Sequence, residues 1–395
     1  MTEFSRRLDW DLRPNRLSQL LDETKAGGAR VLDLTESNPT AAGLPAGRGG
    51  ELEALSNEAA LIYRPEAKGL RVAREAVAGY YRSRRGTVDP DRILLTASTS
   101  EAYAWLFKLL ADPGDEVLVP QPSYPLFEFL ARMELAEVRG YPLAFHEGWW
   151  VDIDAVRGAV TDRTRALVVV NPNNPAGSYL KVWELDVLLD LCQERGIALI
   201  SDEVFFDFAL CRDPTRASAI DGDGRALTFV LSGLSKVAGL PQMKLSWMVV
   251  EGPESLRAAA LERLELIADT FLSVSAPVQH AAGRWLASRA DFQRRVIDRA
   301  RRNLDRLRAA VPPASGSQVL EVEGGWYAVV RQPSAVDEEQ WVLDLLEHDH
   351  VLVQPGYFYD FPFGSHVVIS LLTEPHIFDE AAERLERRFS EMPCQ

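Results

Sequence analysis

Residues 166–177 read ALVVVNPNNPAG, and two later stretches, IALISDEVF at 197–205 and LTFVLSGLSK at 227–236, share the same plan. Each begins as a short apolar run and then passes into polar or small residues. A run this short, bounded by turn-forming residues and lacking a helical period, reads as a strand buried on both faces. Between such runs lie stretches with amphipathic spacing, of which 181–195 is one. Moving outward, 92–96, 116–120 and 246–250 are further strand candidates, with helical patterns at 101–111 and 126–133. Strands alternating with helices predict an α/β fold, a mostly parallel sheet flanked by helices on both faces. Such sheets take ligands beyond the carboxyl ends of their strands, so chemistry is to be sought just past each run.

The rest of the chain changes character. Residues 254–311 read as long helices. The last hundred carry strand candidates at 318–322, 326–330 and 367–371 and helical patterns at 337–347 and 376–391, the makings of a smaller α+β domain. The first fifty are turn-rich, with Asn38-Pro39, Gly43, Gly47, Gly49 and Gly50. The expected division is an N-terminal arm contributing to the small domain (1–45), a large domain (46–275) and a small C-terminal domain (276–395).

A chain of 395 residues with 47% hydrophobic and 26% charged residues has ample material for such cores and is not a disordered protein. Its net charge of −15 argues against nucleic acid or an anionic membrane as partner. Three cysteines, Cys192, Cys211 and Cys394, show no CxxC spacing and fit a reducing compartment without a zinc site. The opening MTEFSRRLDW has no apolar run of a signal peptide, and no stretch nears the roughly 18 apolar residues of a spanning helix. The expectation is a cytoplasmic protein.

Four features follow four of these apolar runs. Ser98, Thr99 and Ser100 open a helix; there they form a cap, or a site where hydroxyls and free N–H groups hold an anion such as a phosphate ester. The loop from Asn171 to Gly177 is a tight turn, or it presents Asn174 to a phenolic oxygen. Asp202 at a strand end is a cap, a metal ligand, or a partner that keeps a pyridine nitrogen protonated. Lys236 in a small-residue loop faces solvent, or forms a Schiff base with a depressed pKa.

The order of these four resembles the class I/II aminotransferases among the fold-type-I pyridoxal-phosphate enzymes. There the loop usually reads Asn-Pro-x-Asn-Pro-Thr-Gly, the acid opens Asp-Glu-hydrophobic-Tyr, and the lysine ends Ser-hydrophobic-Ser-Lys. Tyr63 with Gly69 and Arg74, the stretch Asp112–Val117, and Pro122-Ser123-Tyr124-Pro125 extend the resemblance over residues 30–370. It implies a fold-type-I transferase with pyridoxal 5'-phosphate as cofactor and amino acids and keto acids as substrates. By that resemblance Lys236 bonds the cofactor and moves protons, Asp202 pairs with the ring nitrogen, Asn174 meets the phenolic oxygen and Tyr124 stacks on the ring. Ser98, Thr99 and Ser235 hold the phosphate, joined by Tyr63 from a second copy, which implies a homodimer with its active site at the subunit interface. No metal is implied.

Three positions depart from the family pattern. Phe205 stands where a tyrosine is usual and removes one donor to the phenolic oxygen, so an imine proton should be held more tightly. Lys244 replaces an arginine at the phosphate, a point charge for a fork. Val368 occupies the place of the arginine that grips the substrate carboxylate, which no valine can do. Asn38, Arg331, Tyr357 and His366 are the candidates to replace it. The same departures leave open a lyase, a decarboxylase or a cyclising enzyme using the same cofactor, and a non-catalytic cofactor-binding relative.

Overall fold

The computed structural model describes residues 4–45, 50–84 and 86–391. Gly47, Gly49, Cys394 and the expected start of the large domain at 46 lie outside them. After β1 (Leu32–Asp33), eight strands form the main sheet. They are β2 (Ile93–Thr96), β3 (Glu116–Gln121), β4 (Glu137–His146), β5 (Gly148–Val151), β6 (Thr164–Val170), β7 (Ala198–Asp202), β8 (Thr228–Gly233) and β9 (Ser246–Glu251). Their order is β2-β9-β8-β7-β6-β3-β4-β5. The five central strands β8, β7, β6, β3 and β4 run parallel, while β9 is antiparallel to both its neighbours and β5 closes a hairpin with β4.

Burial on both faces explains why the central runs lack polar alternation. Leu167, Val169, Leu199 and Val230 enter one core, and Ala166, Val168, Ile200 and Phe229 the other. The first face is covered by α2 (Arg71–Ser83) and α6 (Val182–Arg195), the second by α3 (Thr99–Leu110), α4 (Phe127–Met133) and α8 (Glu254–Phe271). Gly196, at φ 63°, ends α6 in the left-handed turn that returns the chain to β7.

The expected long helices past 254 divide at Leu272, whose φ of 48° ends α8 before α9 (Ala276–Ala310) begins. This 35-residue helix serves two cores, with Val278–Val296 against the large sheet and Ala300–Ala310 against the smaller one. The smaller sheet orders β10 (Gln318–Val319), β11 (Tyr327–Gln332), β14 (Ser365–Ser370) and β13 (Gln354–Pro355), and a separate pair joins β1 to β12 (Val351–Leu352). Leu17 of α1 (Arg16–Ala26), with Leu32 and Leu34 beside it in the chain, enters the same core as α10 (Glu338–Asp349) and α11 (Pro375–Ser390), so the arm is built into the smaller domain. On β11 and β14, Tyr327, Val329 and Val368 face the large domain while Ala328, Val330, Val367 and Ile369 face away. No helix among the described residues is long and apolar enough to cross a membrane.

Candidate active site

The strand ends meet in a cavity of about 300 Å³, and most of the residues singled out from the sequence line it. Ser98, Thr99, Tyr124, Asn174, Asp202, Phe205, Ser235, Lys236 and Lys244 all do.

The anion end is built at the start of α3. Ser98 caps that helix, its hydroxyl oxygen accepting from the Glu101 N–H at 3.1 Å while Glu101 accepts from the Ala97 N–H at 2.7 Å. The cap starts the helix two residues before the apolar spacing does. Thr99 and Ser100 occupy its first turn, where N–H groups have no intrahelical acceptor. Lys244, in the left-handed conformation at φ 52°, and Ser235 face the same space. Gly233 lines it too; a Cβ there would stand 2.2 Å from the Ser246 hydroxyl oxygen, so only glycine lets the two strands approach this closely.

The acid end is Asp202, nine-tenths buried at the tip of β7. Its carboxylate accepts from the Val204 N–H and the Tyr103 hydroxyl, each at 3.1 Å. Burial nevertheless pushes its pKa up to about 6, against those two donors. A buried carboxylate so placed is short of one cationic partner.

Between the two ends stands Lys236. Leu234 and Val237, both buried, anchor the single turn α7 (Leu234–Val237), which leaves Lys236 facing the cavity. Its Nζ lies 4.8 Å from the centre of the Trp326 ring and 5.3 Å from that of Phe205. Burial lowers its pKa to about 8, with the Asp202 charge pulling the other way. The neutral amine is the nucleophile, and its fraction grows as pH passes the pKa. Labelling of Lys236 in cofactor-free protein by an amine-reactive reagent should therefore rise with a midpoint near 8, whereas the ordinary lysine value is 10.5. A midpoint at the ordinary value would place the amine in solvent.

Asn174 is buried and its side-chain oxygen has no partner, so its amide is free to orient on a ligand. An anion cradle, an unpartnered amide, an acid lacking a cation and a depressed lysine fit the phosphate, phenolic oxygen, ring nitrogen and carbonyl carbon of pyridoxal 5'-phosphate. Ser37, Tyr103, Ser246 and Tyr327 also line the cavity and were not singled out from the sequence.

Five candidates lie elsewhere. Tyr63 is 83% exposed on a segment with Leu61 and Ile62 and lines a different cleft of its own chain. Asn38 accepts from the Thr40 N–H and hydroxyl, and Arg331 is exposed and bonded to Gln318 at 2.7 Å. Tyr357 packs edge-on against Phe358. His366 is buried and stacked on Phe361 at 4.3 Å, and burial, aided by Arg331, lowers its pKa to about 4, so it is neutral. None of these five lines the cavity.

Residues 29–385 match the family described as aminotransferase class I and II. The chain is 31% identical over 376 residues to an alanine aminotransferase of Mycobacterium tuberculosis, covering 91% of this chain and 86% of that one. It is 27% identical over 359 residues to the glutamate-pyruvate aminotransferase AlaA of Escherichia coli, covering 89% and 88%. Among solved structures, an alanine aminotransferase from Pyrococcus furiosus superposes with a TM-score of 0.88 at 26% identity, covering 98% of this chain and 100% of that one.

Proposed function

The chain belongs to the class I and II aminotransferases, and we propose that the cavity beside Lys236 holds pyridoxal 5'-phosphate and passes an amino group from an amino acid to a keto acid in two half-reactions. The observation that carries this reading is one cavity joining a lysine of lowered pKa to a buried, cation-deficient acid. The cofactor, when bound, supplies an electron-withdrawing ring that weakens the bonds at the substrate's amino carbon.

The chain's own residues do the rest. Asp202 keeps the ring nitrogen protonated, Asn174 donates to the phenolic oxygen, Tyr124 covers a ring face, and Phe205 offers no donor at that edge. Thr99, Ser98, Ser235 and Lys244 take the phosphate. Lys236 would bond the cofactor through its Nζ, the atom that would also hold the proton to be moved. The exposed Leu61-Ile62-Tyr63 segment supports a homodimer in which Tyr63 of a second copy completes the phosphate site. Arm and small domain (1–45, 276–395) then close on the large domain (46–275). The free cysteines Cys192 and Cys211 support a reducing, cytoplasmic setting.

The relatives' names direct the choice of substrates. Adding L-alanine or L-glutamate to the cofactor-loaded protein should abolish the cofactor's visible band, and adding 2-oxoglutarate or pyruvate should restore it. Ammonia released without any acceptor would identify a lyase instead, and a band indifferent to every amino acid would defeat the reading.

A further inference from the structure

Resting on the reading above, we infer that Tyr327 receives the substrate's carboxylate, so that an uncharged hydroxyl wall replaces the cation that Val368 cannot supply. Val368 is fully buried in β14, between Val329 of β11 and Gln354 of β13 in register. The face it shares with them is the one turned to the large domain. Arg331 and His366 are paired at the far end of that face and do not line the cavity, and the polar groups that line it at the Tyr327 end are neutral. Tyr327, two residues along β11 from Val329, lines the cavity and stands 6.4 Å from the Phe205 ring, centre to centre. Ser37 lines the cavity beside it, within hydrogen-bond reach of the Tyr327 oxygen. Behind them the Tyr359 hydroxyl donates to Gln354. Tyr124, Tyr327 and Tyr359 are close enough for charge on one to act on the next.

Among the described residues, the cations lining the cavity are Lys236 and Lys244. The first faces the reacting carbon and the second the phosphate. The charge of Glu36 acts on Tyr327 and helps to hold its proton. Glu36 accepts from the Asn38 N–H at 2.6 Å, and neither Arg331 nor His366 reaches the cavity. A carboxylate entering here is therefore satisfied by hydrogen bonds alone. Tyr327 is suited to that: burial raises its pKa, so it keeps its proton and can donate it to the substrate.

The test uses cofactor-loaded protein, wild type and Tyr327→Phe, titrated with L-alanine and with ethylamine, which is alanine without its carboxylate. A calorimetric titration with propionate, a non-reacting carboxylate, runs alongside. A hydrogen bond to a charged group corresponds to about 10- to 100-fold in affinity. The dissociation constants of alanine and propionate should rise by about that factor in Tyr327→Phe, while that of ethylamine stays within roughly threefold. The KM for pyruvate should follow alanine's, with kcat changing less. Equal weakening of alanine and ethylamine would make Tyr327 a wall residue that only shapes the cavity, and no weakening of either would remove it from recognition; both overturn the inference while leaving the aminotransferase reading intact. A wild type that keeps its cofactor band unchanged with every amino acid would defeat both.

Discussion

Lys236→Ala should lower turnover by at least about 10⁴-fold while the protein stays folded. The expectation follows from two duties falling on one atom. The amine is the lysine nitrogen that faces the cavity between Asp202 and the start of α3, beyond the reach of Lys244's role at the phosphate end. Proton transfer by a positioned side chain contributes about 10²–10⁴-fold alone, and loss of the covalent route adds to it. No other neutral base of suitable pKa lines the cavity among the described residues: Asp202 is committed to Tyr103 and Val204, and Tyr124 is held above the ordinary tyrosine value by burial and by Asp202. Binding of the cofactor should survive in weakened form, because the contacts proposed for Thr99, Ser235, Lys244 and Asn174 do not involve the amine. Steady-state rates measured on variant protein of unchanged circular dichroism check this. Small primary amines added in solution should restore part of the rate, since they replace the missing base but not its position. A variant within tenfold of wild type would remove Lys236 from the chemistry.

Lys236 and Asp202 were readable in the sequence because each ends a strand, and the ends of parallel strands are forced to one edge of the sheet. The central runs declare themselves for the same reason: burial on both faces leaves no polar alternation to mistake for a helix. β4 was not legible. Its sequence EVRGYPLAFH carries Gly140 and Pro142, residues that argue against a strand; both are in register with β3, and β5 pairs only from Leu143 onward, which leaves the outer edge of β4 unpaired where they stand. The wall that the smaller domain adds to the cavity was the least legible part. Ser37 and Tyr327 are far apart in sequence and belong to the smaller domain, so only the packing of that domain onto the large sheet brings them to Lys236. Arg331 and His366 looked suitable because they lie close in sequence to the strands that matter. Arg331 shares the Tyr327 and Val329 face of β11 but stands at the strand's exposed end over Phe145, and His366 is sealed under Phe361. Tyr103 reads in sequence as one more apolar position of α3, yet its hydroxyl is what supports Asp202.

Arg84→Met should destabilise the protein by about 3–5 kcal/mol at neutral pH, the usual consequence of leaving a buried charge without its partner. Arg84 sits at the end of α2 with its guanidinium 4.0 Å over the Phe206 ring. It donates to the Tyr80 hydroxyl at 2.8 Å and to Glu203 at 3.2 Å, and approaches Asp207 at 3.6 Å. Glu203 is fully buried and also accepts from the Ser218 hydroxyl at 2.7 Å and the Ala219 N–H at 2.8 Å. Even so its pKa lies above the ordinary glutamate value, because burial outweighs these donors, and Arg84 is the largest influence holding it down. Removing Arg84 sends that pKa higher still. An acid whose folded-state pKa is raised contributes stability that is complete below its unfolded-state value and is lost as pH rises through the folded-state one. The deficit of Arg84→Met should therefore be small near pH 4, where Glu203 is protonated in both proteins, and should grow toward pH 8. Denaturant midpoints across that range, with unchanged slope, measure it. Adding Glu203→Gln should return part of the loss at pH 8, since a neutral amide keeps the Ser218 contact without an unpaired charge. A deficit that is flat with pH, or under about 1 kcal/mol at pH 8, would mean that Arg84 acts by packing on Phe206 alone. Glu203 adjoins Asp202 at the end of β7, so the weakened variant should also hold the cofactor less tightly: the same buried charge that stabilises the sheet fixes the strand end that carries Asp202.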